Sequence, residues 1–178
     1  MVRCFVGYLL PEDIKEEIVE LQNKIKKWPI VCKMVEKENL HLNFSFLGEI
    51  QESQIKEIYE KIDVVGKKFK KFEVKIGGMK AIPSDKYIRV IVLDVFDETN
   101  NLKSLFDEIN KNIKGDSKPA HITLCRVKSI KNKHEVRKFI FEENKPHGKF
   151  VINAIQLIKS ELKKTGPIYS ILHQTELS

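Results

Sequence analysis

The sequence contains few of the residues that cross-link small secreted proteins or hold structural zinc. Its 178 residues include only three cysteines, Cys4, Cys32 and Cys125, which are widely spaced and form no CxxC pair. An odd number of scattered cysteines argues against both a disulfide framework and a zinc site. We therefore expect a protein of the reducing cytoplasm.

Long apolar runs, linkers and low-complexity segments are also missing. The apolar start MVRCFVGYLL ends at Pro11 and is too short for a cleaved secretion signal, and no later run is long enough to span a membrane. Without a Pro-, Gly- or Ser-rich linker, 178 residues suit one substantial domain or two tightly packed lobes. The expectation is one soluble domain over residues 1–178, monomeric and with no membrane partner.

Charge is plentiful by contrast. Charged residues make up 32% of the chain, and the 32 lysines and arginines outnumber the 25 aspartates and glutamates, which gives a net charge of +7 at pH 7. A basic balance of this kind favours a polyanionic partner such as nucleic acid.

Hydrophobic periodicity predicts about four helices and eight or nine strands. Helices are expected after Pro11 and from about Ile55 to Ile62. Thr99 is the predicted N-cap of a third helix, and Asn132 with Glu135 resembles a capping box for a fourth. Several strands follow one another with no helix between them, so an antiparallel or mixed sheet is favoured over a doubly wound parallel one.

The C-terminal part is predicted to be entirely strand and loop. Residues 149–158 and 168–172 form the two predicted strands, and Gly166-Pro167 lies in the loop between them. The order strand, helix, strand, histidine strand, helix recurs loosely in the two halves of the chain. This recurrence indicates an internal duplication.

Two similar histidine motifs stand out, HLNFSFLGEI from His41 and HITLCRV from His121. Because side chains alternate along a strand, His41 shares a face with Asn43, and His121 shares a face with Thr123. Each strand would present an imidazole beside a hydrogen-bonding side chain, with apolar residues behind. If the two strands are neighbours, both imidazoles face one cavity.

A cavity with two imidazoles suits phosphoryl transfer. Histidine titrates near neutral pH, so one imidazole can take a proton from a nucleophile while the other gives one to a leaving oxygen. The Asn43 amide and Thr123 hydroxyl can donate to the non-bridging oxygens of a phosphate. No metal is required, and the sequence has no HExxH motif or His/Cys cluster.

A structural role is the alternative for each histidine taken alone, because short motifs match by chance. His134, His147 and His173 have no matching motif, and we interpret them as surface or structural residues. The matched pair is what favours function for His41 and His121.

The motifs and their flanking segments resemble the two-histidine (HxTx) phosphoesterase superfamily, and within it the RNA 2′,3′-cyclic phosphodiesterases, also called the 2′-5′ RNA ligase family. RCFVGYLLPEDIKEEIVELQ is similar to the family's first strand and helix, and ENLHLNFSFLGEI to its first motif block. PAHITLCRVK is similar to the second motif block, and SELKKTGPIYSIL to the C-terminal hairpin. The resemblance runs nearly from end to end.

The resemblance implies a bilobal α+β fold, with two antiparallel sheets and flanking helices related by a pseudo-twofold axis and a cleft between the lobes. It also implies hydrolysis of an RNA terminal 2′,3′-cyclic phosphate to a 2′-phosphate, with no metal and no cofactor. Some members of the family join tRNA half-molecules through a 2′-5′ bond. The expected partners are therefore RNA ends bearing the cyclic phosphate, tRNA fragments among them.

Carried over by position, His41 and His121 are the catalytic pair and Thr123 binds phosphate. We expect His121 to be the base for water and His41 the acid for the departing 3′-oxygen, although the sequence fits the reverse equally well. Phe46 and Arg126 each lie five residues after a histidine and are expected to contact the terminal nucleotide. Strict alternation would point them away from the histidines, so this role requires a bulge; core packing is the alternative for Phe46.

Two residues depart from the family pattern. Asn43 stands where the family usually has Thr, and Ser45 where it often has Lys. An amide keeps a hydrogen-bond donor but lacks the compact geometry of a hydroxyl, so we expect activity to be retained but reduced or retuned.

Three functions remain open from the sequence. The first is a metal-independent RNA 2′,3′-cyclic phosphodiesterase, and the second is a 2′-5′ RNA ligase. The third is an RNA- or nucleotide-binding module with impaired catalysis, which Asn43 and Ser45 favour.

Overall fold

Nine β-strands and four α-helices make up the computed structural model, which describes residues 1–178. Both numbers agree with the sequence-based prediction. Two short 3₁₀ turns, Lys37–Asn39 and Glu52–Gln54, complete the structure. In chain order the elements are β1 (Val2–Leu9), α1 (Glu12–Ile25), β2 (Ile30–Met34), β3 (His41–Ile50), α2 (Ile55–Gly66), β4 (Phe72–Pro83), β5 (Ile88–Phe96), α3 (Asn101–Asn112), β6 (His121–Ile130), α4 (Lys133–Glu142), β7 (Gly148–Ile152), β8 (Ala154–Lys163) and β9 (Gly166–Glu176).

The strands form two sheets in which every neighbouring pair is antiparallel. Sheet I has the strand order β3-β1-β8-β9, and sheet II has the order β2-β6-β5-β4-β7. The predicted α+β fold with two antiparallel sheets and flanking helices is therefore confirmed. Neither half of the chain builds a sheet alone, because β2 joins sheet II while β8 and β9 return to sheet I. Each sheet contains one histidine strand, β3 or β6.

The helices cover the outer faces of the sheets. α1 and α4 pack against sheet II, whereas α2 and α3 pack against sheet I. The apolar side of α1 buries Ile14, Ile18, Leu21 and Ile25, which recur at the spacing of one helix face. This arrangement leaves the space between the two sheets free for a cleft. None of the four helices has both the length and the apolar composition needed to cross a lipid bilayer.

Helix starts follow the predicted chemistry at α4 but not at α3. The Asn132 side chain accepts a hydrogen bond from the Glu135 backbone N–H at 3.1 Å, as the capping box predicts. The prediction that Thr99 caps α3 is wrong. Asp97 instead accepts from the first backbone N–H groups of the helix, at 2.8 Å from Asn101 and 3.2 Å from Leu102. A carboxylate suits the positive end of the helix dipole better than a hydroxyl does.

Two predictions in the C-terminal part are also wrong. The single strand expected over residues 149–158 is two strands, since the chain leaves sheet II after β7 and enters sheet I at β8. Asn153, between them, accepts a hydrogen bond from the Tyr8 hydroxyl at 2.9 Å. Gly166 and Pro167, expected in a loop, already pair with Lys163 and Leu162 as the start of β9. An apolar run cannot indicate by itself that its two halves belong to different sheets.

Candidate functional site

A cleft of about 640 Å³ lies between the two sheets, and both histidine motifs open into it. All six residues predicted for the site line this one cleft. From sheet I these are His41, Asn43 and Phe46, and from sheet II they are His121, Thr123 and Arg126. The structure thus brings together residues that are 80 positions apart in the sequence, 121 minus 41.

A β-bulge in each histidine strand turns the later residues of the motif into the cleft. In β3 the pairing with β1 skips Phe44, and in β6 the pairing with β5 skips Leu124. Each bulged residue comes three positions after its histidine, so the alternation is reset by one residue in both strands. Phe46 and Arg126 therefore face the cleft, as they could do only if the strands were bulged.

Hydrogen bonds from outside the strand hold the carbonyl group of each bulge. The Ser117 hydroxyl donates to the Phe44 carbonyl at 3.1 Å, and the Gln22 amide donates to the Leu124 carbonyl at 2.9 Å. The Gln22 side chain is almost fully buried and also donates to the Val35 carbonyl at 2.9 Å. The Leu124 carbonyl also accepts from the Val35 backbone N–H at 3.0 Å. Both bulged carbonyls are therefore satisfied, which favours the bulged conformation because a buried carbonyl without a partner is costly.

The two imidazoles are oriented in the same way. Nδ1 of His41 lies 2.7 Å from the Asn39 carbonyl oxygen, and Nδ1 of His121 lies 2.6 Å from that of Pro119. A carbonyl only accepts, so Nδ1 carries the proton in each ring. In the neutral ring Nε2 then holds the lone pair. Each histidine can therefore accept or donate a proton at Nε2.

The surroundings of the two histidines differ. The His41 ring packs against Phe5 and Tyr169, which also contact each other; their ring centroids lie 4.8 Å and 5.3 Å from that of His41. Burial lowers the pKa of His41 from the ordinary 6.5 to about 4, because the imidazolium loses its hydration. The hydrogen bond to Asn39 opposes this decrease in the pKa, and the nearby His121 and Arg126 side chains add to it. His41 is therefore neutral at pH 7.

Asn43 and Thr123 occupy equivalent places, two residues after each histidine. Both side chains line the cleft, and neither is hydrogen-bonded to another group of the protein. Their amide and hydroxyl groups are therefore available to a ligand. Ser45 does not line the cleft: it is fully buried, and its hydroxyl donates to Asn110 of α3 at 3.0 Å. The position at which this chain has Ser45 and the family often has Lys is therefore outside the cleft.

Several cleft residues were missed by the sequence analysis. Arg3 and Phe5 reach the cleft from β1, and the Arg3 guanidinium lies 4.9 Å from the centroid of the Phe46 ring. Tyr169 and Lys33 also line it, from β9 and β2. No local signal marks these residues, because only the pairing of their strands places them beside the motifs. No group of three or more His, Cys, Asp or Glu side chains is arranged to hold a metal ion.

Known proteins with similar sequences match over almost the whole chain. The family described as LigT-like phosphoesterases matches residues 9–92, which contain the first histidine motif. A Methanocaldococcus jannaschii protein named RNA 2′,3′-cyclic phosphodiesterase is 35% identical, over 97% of this chain and 99% of its own length. An Aquifex aeolicus protein of the same name is 32% identical, over 98% of this chain and 96% of its own length.

Solved structures show the same fold. A protein of Thermus thermophilus superposes with a TM-score of 0.81 at 24% identity, covering 98% of this chain and 97% of its own. Escherichia coli LigT in complex with phosphate superposes with a TM-score of 0.77 at 20% identity, covering 99% of this chain and 98% of its own. The two-sheet architecture is therefore shared along the full length of these chains.

Proposed function

This chain belongs to the LigT-like phosphoesterase family, and we propose that it hydrolyses the terminal 2′,3′-cyclic phosphate of RNA to a 2′-phosphate. The observation that carries the proposal is the pair of matched imidazoles, one from each lobe, whose Nε2 atoms are both free for proton transfer. The names of the relatives support the same substrate. Because each lobe supplies one histidine, residues 1–178 act as one bilobal unit.

In the proposed mechanism, Nε2 of His41 takes the proton of a water molecule as its oxygen attacks phosphorus. The bond from phosphorus to the 3′-oxygen breaks, and Nε2–H of His121 gives its proton to that oxygen. This assignment reverses the expectation from the sequence, because the low pKa of His41 leaves it in the neutral form that a base needs. Asn43 and Thr123 donate to the non-bridging oxygens as negative charge builds up. Phe46 and Arg126 contact the terminal nucleotide.

The proposal is tested with an RNA oligonucleotide ending in a 2′,3′-cyclic phosphate, incubated with the protein in EDTA. We expect conversion to a 2′-phosphate, identified by co-migration with an authentic 2′-phosphate standard and separation from a 3′-phosphate standard. An RNA ending in a linear 3′-phosphate is the control and should not react. Turnover that appears only after a divalent metal is added would contradict the mechanism.

The same assay separates the alternative functions when an RNA with a 5′-hydroxyl is added. A longer product joined through a 2′-5′ bond would identify a ligase. Binding of the cyclic end without turnover would identify a binding module, and Asn43 is the one motif residue in the cleft that favours it.

The low pKa of His41 predicts activity that persists into acidic solution. The acid limb of the kcat/KM profile should have its midpoint near pH 4, since below it His41 carries a proton and cannot act as the base. Phe5→Leu removes a ring that shields His41 and should move this midpoint towards 6.5. Phe44→Leu is the matched control, because Phe44 is also buried in sheet I but packs on Phe106. If the midpoint of the acid limb moves equally in the Phe5→Leu and Phe44→Leu variants, the prediction is contradicted.

Stability must be monitored in this experiment. The unfolded chain binds a proton at His41 below about pH 6.5, whereas the folded chain excludes it until about pH 4. His41 therefore lowers the free energy of unfolding as the pH falls through this window. Rates are measured after brief exposure, with circular dichroism at each pH to show that the protein is folded.

A further inference from the structure

Two cations face each other in the cleft, and neither forms an ion pair. Lys33 of β2 lies directly opposite Arg126 of β6, and both side chains line the cleft. Neither takes part in an ion pair, and Glu36, which lines the same cleft, lies outside ion-pair distance of Lys33. Like charges directly opposite each other on one face destabilise a sheet. We call Lys33 and Arg126 the cation pair.

Elsewhere in sheet II an arrangement of the same kind is neutralised. Lys75 of β4 lies opposite Lys149 of β7. Lys75 forms an ion pair with Glu98, and Lys149 forms one with Glu73 at 3.2 Å. The cation pair has no acid at ion-pair distance. Glu36 and Lys33 both lie beside Gly166, so Glu36 offsets part of the positive charge, and an anion bound at the pair offsets the rest.

The backbone of the cation pair is displaced from that of Thr123. Thr123 lies opposite Val92 of β5, and Arg126 lies opposite Val90. These are two residues apart on β5, which places the Arg126 backbone about 7 Å beyond that of Thr123 along the sheet. Lys33 lies one strand further out, on the edge strand β2, so an anion held between Lys33 and Arg126 lies beside the phosphate held between the histidines.

Resting on the proposed function, we infer that the cation pair binds the phosphodiester that joins the terminal nucleotide to the one before it. Arginine matches a phosphate with two parallel N–H donors, and lysine adds a compact positive charge. The substrate class is then an RNA end of at least two nucleotides, in preference to a nucleoside 2′,3′-cyclic phosphate. Lys33 is the residue whose part in binding follows from the structure alone.

The inference is tested with two dinucleotides that end in the same 2′,3′-cyclic phosphate. One has an ordinary phosphodiester linkage, and the other has an uncharged methylphosphonate linkage of nearly the same shape. We expect kcat/KM of the unmodified protein to be at least about tenfold higher for the charged linkage, as charge-assisted hydrogen bonds to phosphate require. Lys33→Met should reduce this ratio to below about threefold, and Lys33→Arg should keep it.

Lys128→Met is the matched control. Lys128 lies on the same strand two residues after Arg126 and is exposed, but it does not line the cleft. This variant should keep the full ratio. Equal rates on both linkages in the unmodified protein, or equal loss in the Lys33→Met and Lys128→Met variants, would overturn the inference. Absence of turnover on every cyclic substrate would instead overturn the proposed function.

Discussion

Replacing either His41 or His121 with alanine is expected to lower kcat on a cyclic-phosphate RNA end by about 10²–10⁴-fold, the usual contribution of a positioned general acid or base. The double variant should lose little more than the worse single variant, because the two residues act in one step. His134→Ala is the control, since His134 is exposed and lies outside the cleft. Turnover retained in both single variants would exclude the paired mechanism.

A substrate with sulfur in place of the bridging 3′-oxygen distinguishes the roles of the two histidines. A thiolate leaves without help from an acid, because thiols are far more acidic than alcohols. On this substrate the loss caused by His121→Ala should shrink to below about tenfold, while His41→Ala should keep its full effect. The opposite pattern would make His41 the acid. A pH profile cannot replace this experiment, because both assignments require the same total number of protons.

The second large effect is expected at the two phosphate donors. Thr123→Val and Asn43→Ala should each lower kcat by about 10²–10³-fold, as does loss of one oxyanion donor in other enzymes. Asn43→Thr should stay within about tenfold of the unmodified protein, because a donor is retained at the same place.

Ser45→Ala is the control for these variants. Ser45 belongs to the same motif, but it bonds to Asn110 away from the cleft. Its loss should lower the free energy of unfolding by about 1 kcal/mol and leave kcat unchanged. If Asn43→Ala behaves like Ser45→Ala, Asn43 is no phosphate donor. If Asn43→Thr raises kcat more than tenfold, the asparagine has retuned this protein away from fast turnover.

The two bulges show where reasoning from the sequence ends. Alternation correctly placed His41 with Asn43 and His121 with Thr123, since these pairs precede the bulges. It could not place Phe46 or Arg126, because a bulge depends on partners elsewhere in the chain. Gln22 of α1 holds the carbonyl of one bulge across 102 residues.

The sequence by itself determined the four helices and the two histidine strands, and it restricted the sheets to antiparallel or mixed ones. It did so because strand and helix periods and short-range caps are local properties. Only the tertiary structure decided that residues 149–158 divide between two sheets and that Arg3, Tyr169 and Lys33 join the motifs in one cleft. The tertiary structure also decided that His41 and not His121 packs against two aromatic rings. Strand pairing and burial set these features, and both depend on residues far apart in the chain.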